Sequence, residues 1–162
     1  MDRLWAPWRL SYVAGAKPPT AEDPCFLCQG LAGHDDRANL VAVRREHCVV
    51  VLNRFPYNNG HLLVAPNAHK GRLHELTAAE TVQIQETLAE LVGIFDRAMR
   101  PDGYNLGVNL GRAAGAGLPG HLHWHLVPRW NGDTNFMPVL ADVRVIAQSL
   151  DSLYDLLVGR LR

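Results

Sequence analysis

Three of the eight histidines fall within five residues: His121, His123 and His125, with Leu122 and Trp124 between them. Side chains of an extended strand alternate between faces. This spacing therefore puts the three imidazoles on one face, roughly 7 Å apart, and Leu122, Trp124 and Leu126 on the other. Crowded imidazoles need water, a metal or hydrogen-bonding partners. The row could be a solvated strand face, a metal site made by the strand alone, or a reactive centre. The residues just before it favour the last. Gly111, Gly115, Gly117 and Gly120 make a glycine-rich loop whose bare backbone N–H groups can converge on an anion. A phosphate cradle beside imidazoles suits phosphoryl or nucleotidyl transfer, because neutral imidazole is a competent nucleophile near neutral pH and a second imidazole can help a leaving oxygen.

Cysteine gives a second signal. Cys25 and Cys28 stand at CxxC spacing and Cys48 is alone, an odd count too small for a disulfide framework. The pair means zinc, redox chemistry or two metal-free thiols. No helix-opening or βαβ pattern surrounds it, which weighs against redox chemistry. Cys48 lies in an apolar run and reads as core; His34, His47 and His74 read as surface or loop residues.

The elements that must position these groups follow from periodicity. Apolar, β-branched runs predict strands over 40–43, 47–52, 61–65, 104–110 and 121–127, with Asn53 to Gly60 as the loop between two antiparallel strands. A helix is expected over 77–99: Thr77 and Glu80 make a capping-box pair, and Val82, Leu88, Leu91, Val92 and Phe95 recur at helical spacing. A C-terminal helix is expected over 143–161. Residues 1–24 read as irregular, with Trp5 and Trp8 packing on the body of the domain and Lys17-Pro18-Pro19 as a connector.

Composition bounds the function. Of 162 residues 48% are hydrophobic and 20% charged, a globular balance; Lys+Arg and Asp+Glu are 16 each, which argues against holding nucleic acid by bulk charge. No apolar run reaches the roughly 20 residues of a membrane helix, and the first residues carry no signal-peptide core, so a cytoplasmic protein without membrane partners is expected. No repeat or second domain boundary is visible. The chain reads as one domain, 1–162, with an N-terminal extension (1–40) holding the CxxC, a core (41–130) and a C-terminal segment (131–162).

The segment His121-Leu122-His123-Trp124-His125-Leu126-Val127-Pro128-Arg129 resembles the HφHφHφφ signature of the histidine triad (HIT) superfamily. Gly60-His61-Leu62-Leu63-Val64-Ala65-Pro66 is similar to its GHxLVxP strand, and Tyr104 to Asn109 to the strand before its phosphate loop. Leu4-Trp5-Ala6-Pro7-Trp8-Arg9 and Arg129-Trp130 onward to Phe136 resemble the bacterial branch related to diadenosine-tetraphosphate phosphorylases. The resemblance implies an α+β fold: about five largely antiparallel strands with a long packed helix and a C-terminal helix, in a homodimer. It implies an enzyme, a nucleotide hydrolase or nucleotidyl transferase acting at the α-phosphate of dinucleoside polyphosphates or related nucleotides. A phosphorylase and a low-turnover nucleotide-binding regulatory module are the alternatives.

Residue by residue, the resemblance makes His123 the nucleophile of a nucleotidyl-histidine intermediate. His125 contacts phosphate and assists the leaving group, and His61 supports the triad. Asn53 would bind ribose hydroxyls and Asn109 would sit near the phosphates, while the backbone of Gly115, Ala116 and Gly117 would hold phosphate oxygens. HIT proteins with a CxxC, a histidine eight residues past the GH histidine and the first triad histidine bind structural zinc. The matching set here is Cys25, Cys28, His69 and His121, with His74 the spare. The chain departs from the pattern at Gly117 and Leu118, where many members carry Gln, Ser or Thr that donates to phosphate.

Overall fold

The computed structural model describes residues 25–134 and 146–161. Five antiparallel strands form one sheet: β1 (Val41–Arg44), β2 (Cys48–Leu52), β3 (Leu62–Pro66), β4 (Gly103–Val108) and β5 (Trp124–Arg129), in the order β1-β2-β3-β5-β4. Among the described residues three α-helices accompany it: α1 (Phe26–Ala32), α2 (Ala78–Ala98) and α3 (Leu150–Leu161). None is long and apolar enough to cross a membrane. The expected α+β architecture is present. The Trp-rich opening, the proline connector, and Asn135 and Phe136 lie outside the described residues.

Alternation divides the sheet's two faces between the helices. Val50 and Leu52 of β2, Leu62 and Val64 of β3, and Trp124 and Leu126 of β5 pack with Ile84, Leu88, Leu91 and Phe95 of α2 and with Leu153 and Leu157 of α3. The intervening Val49, Val51 and Ala65 pack with Leu27 of α1. Covered on both faces, β2 and β3 are buried throughout, which is why their sequences are continuous apolar runs rather than alternating ones.

The boundaries differ from the expected ones where local hydrogen bonding decides. The triad strand begins at Trp124, three residues later than its hydrophobic pattern. The β3–β5 register runs Leu62↔Leu126, Leu63↔His125, Val64↔Trp124. Continued, it would set Leu122 against Pro66, which has no N–H to donate. Leu122 N–H instead donates to the Lys70 carbonyl at 2.7 Å. The C-terminal helix starts at Leu150 rather than 143. Residues 146–149 are not helical, and the Ser149 hydroxyl accepts from Ser152 N–H at 3.2 Å, which places the cap there. Val82 of α2 is exposed, because the buried stripe runs Ile84, Thr87, Leu88, Leu91, Ile94, Phe95. Cys25 and Cys28 do open a helix: Cys25 is the N-cap of α1, its sulfur accepting from Cys28 N–H at 3.4 Å. A seven-residue helix is too short to persist alone. Arg44 holds its other end by donating to the Gly30 and Leu31 carbonyls, both at 2.8 Å.

Both halves of the α2 capping box form, and Glu80 does more than cap. Its carboxylate accepts from Thr77 N–H at 2.7 Å and from Lys70 Nζ at 2.9 and 2.6 Å, in a site that leaves Glu80 7% exposed. Lys70 first, then the Thr77 amide, holds the carboxyl down at about 2. A depressed carboxyl pKa contributes stability that is complete above its unfolded value of about 4.5 and lost as pH falls through the folded one. Glu80→Ala is expected to cost about 2 kcal/mol at neutral pH. In urea titrations its deficit should shrink as pH falls from 4.5 toward 2; a deficit independent of pH there would contradict the pairing.

Candidate functional site

The histidines of the 121–125 segment divide between two places. His121 points into a cluster with Cys25, Cys28 and His69, whose ligand atoms all lie within 4.8 Å of one another. Its Nδ1 is 3.2 Å from Cys25 Sγ and 3.5 Å from Cys28 Sγ, and its Nε2 is 2.9 Å from the Pro66 carbonyl. A carbonyl only accepts, so Nε2 carries the proton and Nδ1 offers its lone pair to the cluster, as a metal-binding histidine must. His69 Nδ1 lies 3.2 Å from Cys28 Sγ. Two thiols and two imidazoles within this radius match a tetrahedral Cys2His2 donor set. Burial, then the Cys25 sulfur, pushes the Cys28 thiol up to about 11, so a cation binding here displaces thiol protons. His74 is exposed in the turn Leu73–Glu75 and takes no part in the cluster.

His123 is buried, 6% exposed, with Nδ1 2.8 Å from the His121 carbonyl. By the same logic Nδ1 is protonated and Nε2 holds the lone pair. Burial holds its pKa below the ordinary histidine value, with the His121 carbonyl opposing, and so keeps the ring neutral and nucleophilic. The His125 ring centroid is 5.1 Å away at a steep angle. His125 Nδ1 is 2.9 Å from His61 Nε2, so three of the sequence-derived histidines, 61, 123 and 125, do come together.

His125 also belongs to a row across the face of the sheet that carries α1. Val51 pairs with Leu63, Leu63 with His125, and His125 with Gly107. Val51 and Leu63, together with Phe26 and Gln29 of α1, Asn53 and Phe55, line a cavity of about 300 Å³. Apolar walls with a few convergent polar groups suit a base and its sugar, and Asn53 is on this wall. Gly60, which precedes His61, has φ +77, and a Cβ there would lie 2.9 Å from Pro128, so the turn that aims His61 demands glycine.

The glycine loop follows β4 directly. The last ladder pair is Val108↔Trp124, and Asn109 comes next. Gly115 N–H donates to the Arg112 carbonyl and Ala116 N–H to that of Gly111, so these two amides are used inside the loop. Among the described residues Gly117 N–H has no backbone acceptor. Gly117 therefore fits the expected phosphate-holding role better than Gly115 or Ala116.

Three contributors were missed from sequence. Tyr57, 51% exposed, lays its ring on His125 (centroids 5.7 Å, 18°) and its backbone N–H donates to His61 Nδ1 at 3.0 Å. Phe26 and Gln29 reach the cavity only because α1 forms, starting at Cys25 and running through Cys28. Tyr57's place four residues before His61 was the one available hint. Asn58 ties their loop to β5, donating to Asp133 at 2.7 Å and to the Pro128 carbonyl at 3.2 Å.

A HIT domain family model matches residues 36–132, more than half of the chain. The chain is 36% identical over 154 residues to the AP-4-A phosphorylase of Mycobacterium tuberculosis, covering 93% of this chain and 79% of that protein. It is 34% identical over 107 residues to the adenosine 5'-monophosphoramidase of Schizosaccharomyces pombe, covering 66% of this chain and 75% of that one. A Zn-bound histidine triad family protein from Mycobacterium smegmatis shares the fold, with TM-score 0.66 and 24% identity over 85% of this chain and 92% of that one.

Burial, then the charge of His123, presses the His125 pKa down to about 4. Nitrogen-15 NMR of the free protein should find the His125 ring neutral at all pH values well above that; titration near the ordinary histidine value would contradict the packing described.

Proposed function

The chain belongs to the HIT domain family, and we infer that it is a nucleotide hydrolase or nucleotidyl transferase working through a nucleotidyl-histidine at His123. One observation carries the reading: a buried, neutral imidazole whose Nδ1 is occupied by the His121 carbonyl, leaving the Nε2 lone pair beside His125. Attack of that lone pair on an α-phosphorus forms a P–N bond while the P–O bond to the leaving phosphate breaks. The His121 carbonyl, already bonded to Nδ1–H, stabilises the imidazolium so formed. Asn53 binds the ribose of the nucleoside in the cavity, with Asn109 and the 115–117 backbone near the phosphates.

Water or inorganic phosphate then attacks the phosphorus, and the P–N electron pair returns to Nε2. Phosphate as the acceptor is the second reading, supported by the 36% identity to a protein named AP-4-A phosphorylase. Cys25, Cys28, His69 and His121 would hold zinc, which when bound supplies a closed structural crosslink between α1 and the segment before β5. The domain is read as single and cytoplasmic. A homodimer would cover β4, an edge strand on which Leu106 is exposed.

Product analysis with diadenosine tetraphosphate separates the acceptors. ADP plus ATP that requires added phosphate identifies a phosphorylase, and AMP plus ATP without it a hydrolase. His123→Ala should reduce either by about 10³-fold or more; turnover surviving that change would overturn the reading. Zinc analysis should find about one ion per chain. Cys28→Ser should lower both occupancy and Tm, the latter by about 5 °C or more; full occupancy in that variant would count against the ligand set.

A further inference from the structure

The peptide unit that joins His121 to Leu122 is held at both ends. Its carbonyl accepts from His123 Nδ1 at 2.8 Å, and its N–H donates to the Lys70 carbonyl at 2.7 Å. A peptide unit is planar and stiff, so its two ends cannot turn independently. Whatever fixes the Lys70 carbonyl therefore fixes the plane from which the His123 ring hangs. It also strengthens the bond to His123, because a peptide polarised at its N–H accepts better at its oxygen. The sheet does not supply this hold, since the β3–β5 ladder ends at Trp124.

Three successive residues make the attachment. His69 lies over Gly120, where a Cβ would stand 3.4 Å from His69 Nε2. Lys70 meets Leu122. A Cβ at Gly71 would stand 3.3 Å from the carbonyl oxygens of both Pro119 and Gly120, so the two backbones run nearly in contact. The 69–71 segment is in turn clamped from its other side. Lys70 Nζ, on a side chain 22% exposed, donates to both Glu80 oxygens at 2.9 and 2.6 Å, which fastens the segment to the first turn of α2. Gly71 N–H and Arg72 N–H both donate to Glu75 Oε2 at 2.8 Å. None of residues 69–71 or 119–122 lines the nucleoside cavity, whose walls are drawn from residues between Phe26 and Leu63.

Resting on the nucleotidyl-histidine reading, we propose that Lys70 and Gly71 are positioning residues for the transfer step: Lys70, pinned to Glu80, sets the 121–122 peptide that aims His123, and Gly71 admits the close approach that makes this possible. The Gly117 amide lies two residues before Pro119, so the same attachment sets the phosphate-holding loop relative to the nucleophile. Attack on phosphorus needs the Nε2 lone pair in line and about 3–3.5 Å away, and a misplacement of about 1 Å costs about 10²-fold. The effect of these residues therefore falls on the rate of P–N bond formation and spares the binding of base and sugar.

Single-turnover mass spectrometry of the full chain with diadenosine tetraphosphate gives the rate of adduct formation at His123, and calorimetry gives adenosine affinity. Adenosine reports the cavity alone, including the α1 wall that shares Cys28 with the metal-binding cluster. Lys70→Met frees the carbonyl from its anchor, and Gly71→Ala presses the two backbones apart. Each should slow adduct formation by about tenfold or more while adenosine affinity stays at the wild-type value. Leu122 N–H should exchange with solvent faster in both. Wild-type rates in the folded variants, or rates and adenosine affinity that fall together, overturn the proposal and leave the nucleotidyl-histidine intact. Should Lys70→Met fail to fold, Gly71→Ala answers the same question, since it breaks no ion pair. A wild type with no turnover and no adduct at His123 removes the parent reading and this proposal with it.

Discussion

The antiparallel pairing of β5 with β3, and its end at Pro66, is the constraint on which the site depends. From Trp124 onward the backbone is committed to the ladder; before it, the backbone turns to Lys70 for a partner. His125 is thereby held in the sheet, facing His61 from the loop before β3, while His121 is released toward Cys25, Cys28 and His69. His123, between them, hangs its Nδ1 on the carbonyl of His121. One alternating sequence of five residues thus serves two sites, and the division falls where a proline cannot donate.

The second consequence concerns α1. Its first residues are bracketed by Cys25 and Cys28, and Phe26 and Gln29 from the same helix line the cavity. A helix this short is held by its ends: sulfur at one, the Arg44 guanidinium at the other. The Cys2His2 cluster and the cavity wall are therefore one mechanical unit, and ordering the cluster orders the wall. The opposite face of the sheet, packed by α2 and α3, makes no comparable demand and is filled by apolar side chains.

Much of this was legible in the residues. The α2 cap was readable because Thr77 and Glu80 form a local, reciprocal pair that tertiary context does not override. The grouping of His61 with His125, and of Cys25 and Cys28 with His69 and His121, came from resemblance; periodicity alone left the three triad histidines on one strand face. Alternation was right for His125 and misleading for His121, because it assumes a strand that the ladder does not extend to. The helix at Cys25 escaped notice because seven residues are too few to show a period, and its stability is tertiary. Tyr57 escaped for another reason. It acts through a backbone amide in an irregular loop, where residue type carries little information about partners.

His123 Nε2 is the atom proposed to take the nucleotidyl group. The direct measurement is acid-quenched intact-protein mass spectrometry during turnover of diadenosine tetraphosphate, followed by peptide mapping of the adduct. An adenylate on His123 is the predicted result. An adduct on another residue, or turnover with no adduct at any quench time, would contradict the account.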